Sequence, residues 1–108
     1  MGNFANIRIE NKGTAEKIVL NKPGTYQVQV ESISTADSQG KKGKRKIQLF
    51  TVAGKNLATG NDFQLTNSDF GLYDEIVAYL QSNDTDKIEL VAEKDTTNPR
   101  YLIWELAQ

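Results

Sequence analysis

Cysteine and histidine are both absent from the 108 residues of this chain. Without cysteine there is no disulfide, zinc–thiolate site, iron–sulfur cluster or thiol nucleophile. Without histidine there is no imidazole base, no Ser–His–Asp triad and no imidazole metal ligand. Only carboxylate, lysine, tyrosine or hydroxyl chemistry is left, and no stretch assembles a nucleophile with a base. A non-enzymatic protein without metal or cofactor is therefore expected. Apolar runs are short, and none approaches the roughly 20 residues of a membrane helix. Met1 to Asn6 lacks a basic start followed by an apolar stretch, so no secretory leader is expected and the expected location is cytoplasmic. Nucleotide motifs are missing as well. Gly54-Lys55 is followed by Asn56 where a P-loop needs Ser or Thr, and there is no G-x-G-x-x-G. Asp84-Thr85-Asp86 lacks the glycine and distal glutamate of an EF-hand.

What is present is an ordinary globular composition, 38% hydrophobic and 25% charged, in one domain's length. The net charge of −1 conceals a strong asymmetry. Residues 1–58 carry ten basic and four acidic side chains, a net +6, whereas residues 59–108 carry three and ten, a net −7. Five of the basic residues, Lys41, Lys42, Lys44, Arg45 and Lys46, fall within six positions. Such a cluster attracts polyanions even on a near-neutral protein, because the field at short range follows local charge.

The dominant hydrophobic period is two. Ile7 and Ile9 alternate with Arg8 and Glu10, and Tyr26, Val28 and Val30 alternate with Gln27, Gln29 and Glu31. The phase breaks at Ser32-Ile33, which predicts a bulge or bend. Strands are expected over 25–33, 44–52, 62–66, 87–93 and 101–106. Leu72, Tyr73, Ile76, Val77 and Leu80 form a helical stripe that predicts a helix over 69–82, capped by Thr66, Asn67 or Ser68. Three strands, one helix and two strands is the connectivity of an OB-fold. The expected architecture is mostly β: a five-stranded Greek-key barrel with one helix between its third and fourth strands. Residues 1–21 add an N-terminal strand or hairpin, and 22–108 form the barrel of a single domain.

An OB-fold binds nucleic acid on its second and third strands, between the first-to-second and fourth-to-fifth strand loops. Lys41 and Lys42 fall in the first of those loops, and Lys44, Arg45 and Lys46 open the next expected strand. Phe50 is expected to share an outward face with Lys44, Lys46 and Gln48, where it could stack a base. Phe63 and Tyr101 are further stacking candidates, and Arg100 is a phosphate or stacking contact beside the second loop. Trp104 and Tyr26 are expected in the core.

Leu20-Asn21-Lys22-Pro23-Gly24-Thr25-Tyr26-Gln27-Val28, followed by a polar loop holding Lys42-Gly43-Lys44 and then an alternating strand, resembles the small single-stranded DNA-binding proteins of bacteriophages. The likeness extends over Lys22 to Val30 and Ser38 to Leu49, and more loosely over the helix and Tyr101 to Trp104. It implies sequence-independent binding of single-stranded DNA, with RNA as a further ligand, in phage replication or recombination. It also implies a homo-oligomer in the host bacterial cytoplasm, with phage or host replication and recombination proteins as partners. Many such proteins recruit enzymes through an acidic tail. This sequence closes on Trp104-Glu105-Leu106-Ala107-Gln108, so recruitment of that kind is not expected.

Two other readings use the same residues differently. A phage-encoded interaction module or inhibitor would present Asp69, Asp74, Glu75, Asp84 and Asp86 as a phosphate mimic, and would be indifferent to charge reversal at 41–46. A small phage structural protein would form stable polymers without DNA.

Overall fold

The alternating run that begins at Tyr26 builds the longest element, β2 (Gly24–Ser38), and every other strand is placed by it directly or through one neighbour. The computed structural model describes residues 4–15, 20, 22–38, 47–98 and 101–107. A short 3-10 turn (Phe4–Asn6) leads into β1 (Arg8–Ala15). After β2 come β3 (Gln48–Asn56), β4 (Asp62–Asn67), the helix α1 (Phe70–Ser82), β5 (Lys87–Lys94) and β6 (Leu102–Ala107). The protein is thus mostly β, with one six-stranded sheet and one helix. The expected five-strand count is corrected to six, and the helix follows the fourth strand in chain order. The reason is that residues 8–15 enter the sheet as a full strand through seven register pairs with β2.

The sheet runs β4-β3-β2-β5-β6, with β1 also on β2. Four pairings are antiparallel, and β1 lies parallel to β2. A strand has only two edges. Since β3 occupies one edge of β2 from Val28 to Asp37, β5 and β1 divide the other. β5 takes residues 24–29, and β1 takes 32–38. At the join, the Val30 amide donates to the Asp86 carbonyl at 2.6 Å. The β2–β3 register slips there between Val30 and Ser32, where the sequence breaks phase. The inserted residue keeps Ile33 on the same side as Val28 and Val30, so all three enter the core.

One cluster forms that core. Val28, Val30 and Ile33 pack with Phe50 and Val52 of β3, Phe63 and Leu65 of β4, Ile88 and Leu90 of β5 and Trp104 of β6. Leu72, Ile76 and Leu80 cover it from α1, as the helical stripe predicts. The outermost strands β4 and β6 share no ladder, yet the rings of Phe63 and Trp104 lie 6.4 Å apart. The sheet therefore curls until its two ends meet through side chains.

The cap of α1 is Asp69 rather than any of the three residues before it. Its carboxylate accepts from the amides of Gly71 at 3.0 Å and Leu72 at 3.4 Å. Asn67 instead turns the chain into the cap, its Oδ1 accepting from the Asp69 amide at 2.8 Å. Replacing Asp69→Ala leaves those helix amides without a side-chain acceptor and is expected to cost about 1 kcal/mol. A lowered midpoint in urea, with an unchanged slope, checks it. Among the described residues no helix is long and apolar enough to cross a membrane.

Candidate functional site

β2 ends and β3 begins at a fastened pair of residues. The Ser38 amide donates to the Ile47 carbonyl at 2.7 Å, and the Ile47 amide donates to Ser38 Oγ at 2.9 Å. The chain between these ends carries Lys41, Lys42, Lys44, Arg45 and Lys46. These five residues and Arg100 lie outside the described residues. Among the described residues β3 begins at Gln48, and the expected start at 44 lies outside them.

The stacking candidates divide sharply. Phe50 is fully buried at 0% exposure, which corrects its assignment to an outward face. Its ring lies 5.5 Å from Phe70 and 5.4 Å from Tyr73, under the start of α1. The pairing of Ile33 with Val52 sets the phase of β3 and turns Phe50, Val52 and Gly54 toward the core. Ile47 is 48% exposed, and Leu49 is buried on the side opposite Phe50. Phe63 is 5% exposed and packs against both Tyr26 and Trp104, so it too offers no open ring face. Tyr101 is 60% exposed and remains a candidate. It precedes β6, whose first residue pairs with Lys94 beyond the Gly24 end of β2. The register thus places it at the opposite end of β2 from Ser38.

Beyond the buried Leu49, the outer face of β3 and β4 carries small and polar side chains. Thr51 and Thr66 share a hydroxyl hydrogen bond of 3.0 Å, with Ala53 and Gln64 paired beside them. At the far end Lys55 donates to Asp62. That hydrogen bond first, and the carboxylate charge second, hold the Lys55 ammonium above the ordinary lysine range. The pair is exposed, so its main effect is local neutralisation rather than stability. No aromatic ring stands on this face among the described residues.

A second feature escapes a reading of the sequence strand by strand. A cleft of about 560 Å³ lies where the β3–β4 turn meets the start of β2, lined by Leu20, Lys22, Tyr26, Asn61, Phe63 and Gln64 among others. Residues forty positions apart build it, and the available signals were the Asn21–Gly24 turn and the in-phase placement of Tyr26 with Val28. Comparison with protein-family models, with curated proteins and with solved structures finds no match.

Proposed function

We propose that this chain is a small OB-fold that binds single-stranded DNA, largely without regard to sequence, in phage DNA replication or recombination. Support for the fold comes from strand order. A three-stranded meander (β2, β3, β4) is followed by a helix and then by two strands, the first of which returns to the free edge of the meander's first strand. That is the connectivity of a five-stranded OB barrel, with β1 as an addition.

The observation that carries the function is the run of five cations in six residues on the connection fastened by Ser38 and Ile47. Since Phe50 and Phe63 are buried, base stacking contributes less and phosphate neutralisation more. Binding should therefore fall steeply with salt. Anisotropy of a labelled unstructured oligodeoxynucleotide should give micromolar or tighter affinity at low salt, and an RNA of the same sequence tests the sugar preference. Changing Lys41, Lys42, Lys44, Arg45 and Lys46 together to Ala should flatten the salt slope by about 0.7 for each phosphate contact removed. Absence of low-salt binding by the unaltered protein rejects the function. An unchanged slope in the variant would mean that other cations neutralise the phosphates and that this run is not the binding site.

A further inference from the structure

The cleft beside the β3–β4 turn has the chemistry of a site for a planar heterocycle. Its volume of about 560 Å³ falls in the range of roughly 300–1,000 Å³ typical of small-molecule sites, which favour the mouths of curled sheets. Two aromatic side chains line it, with ring centroids 5.6 Å apart. Tyr26 is held rigidly, since its hydroxyl donates to the Lys22 carbonyl at 2.6 Å and its ring lies 5.4 Å from Trp104. A fixed ring loses little freedom when a ligand arrives.

The polar groups of the cleft sort into two sets. Asn56 Oδ1 accepts from the Ala58 amide and Thr59 Oγ1 from the Asn61 amide, so both are engaged in the turn. The side-chain amides of Asn61 and Gln64 have no partner among the described residues. Each offers a donor and an acceptor on one plane, the pairing that a base edge presents. The one carboxylate on the rim, Asp62, is neutralised by Lys55. Lys22, exposed on the rim, forms no ion pair among the described residues and can meet a phosphate.

We infer that this cleft takes one base of a single strand, with Asn61 and Gln64 reading its edge, the half-buried Tyr26 contacting its ring and Lys22 meeting the adjacent phosphate. The inference rests on the nucleic-acid reading and deepens it. The cations of 41–46 and Lys22 supply salt-dependent attraction, and the amides and ring of the cleft supply a part that salt does not screen. A neutral saccharide would use the amides but leave Lys22 without a role.

The chain has a single tryptophan, and it lies against Tyr26, so Trp104 fluorescence reports occupancy. Titration with thymidine monophosphate should change that fluorescence saturably. The double variant Asn61→Ala/Gln64→Ala changes two exposed side chains and should melt like the parent protein. It should bind the nucleotide and an oligothymidylate about ten-fold more weakly, with an unchanged salt slope, as the loss of a paired base contact predicts. No fluorescence response to the nucleotide, equal binding by the variant, or a stronger response to a neutral oligosaccharide would overturn the site. Failure of the function is separately visible: the oligonucleotide would show no salt-dependent anisotropy while the mononucleotide still acted on Trp104.

Discussion

Phe50→Ala is expected to remove about 3–5 kcal/mol of stability, the cost of deleting a large aromatic side chain from a packed interior. A domain of this size has only about 5–15 kcal/mol in total, so the variant should be largely unfolded at modest urea concentrations. The argument is geometric. Phe50 has no exposed surface, and two rings from the first turn of α1 lie within 5.5 Å of it. It joins the start of β3 to the helix, so its loss leaves a cavity under α1 and weakens the helix against the sheet. Phe50→Leu, which retains most of the volume, should cost much less and leave oligonucleotide affinity unchanged. Urea unfolding followed by far-ultraviolet circular dichroism tests the pair. If Phe50→Leu kept full stability but lost affinity, the ring would be a base contact after all, and its placement in the core would be wrong.

That Phe50 reads as an outward ring in the sequence has a physical explanation. Leu49 and Phe50 are adjacent apolar residues, and a period of two is satisfied with either of them inside. The choice is made by β2, whose Ile33 pairs with Val52, and by the bulge that brings Ile33 into the core. Pairing across strands is not written in the residues of one strand. Where a local pattern had one solution it was legible: the broken phase at Ser32-Ile33 is the bulge, and Leu72, Ile76 and Leu80 are the buried stripe of α1. The helix cap had four side chains of suitable chemistry in succession, and only the turn made by Asn67 selects Asp69. The parallel pairing of β1 had no local signal, because Arg8–Ala15 holds a single large apolar side chain, Ile9. Charge, by contrast, is legible without structure. The run from Lys41 to Lys46 is a property of the sequence alone, and the structure adds where its two ends are fastened.

The same bulge makes Gly54 the most demanding position in the sheet. Gly54 pairs with Val30 on one side and Phe63 on the other, and it faces the core between them. A Cβ built on it would overlap the Gln29 carbonyl oxygen and stand 2.9 Å from the carbonyl carbon. Both atoms are backbone, so no side-chain rotation can relieve the contact. β2 must move away, and β2 is held on its other edge by β5. Gly54→Ala is therefore expected to cost about 3 kcal/mol, at the upper end for overpacking, although alanine loses less backbone entropy than glycine on folding. For a domain of this length that lowers the melting temperature by on the order of 10 °C or more. Gly60→Ala is the comparison. Gly60 has φ of +76° but nothing within 4 Å of a built Cβ, so it costs only the strain of a left-handed backbone, about 1 kcal/mol. Thermal melts of the two variants should separate them clearly, with Gly54→Ala the lower. Equal melting temperatures would mean that β2 and β3 do not approach so closely at the bulge, and the register that turns Phe50 inward would lose its physical basis.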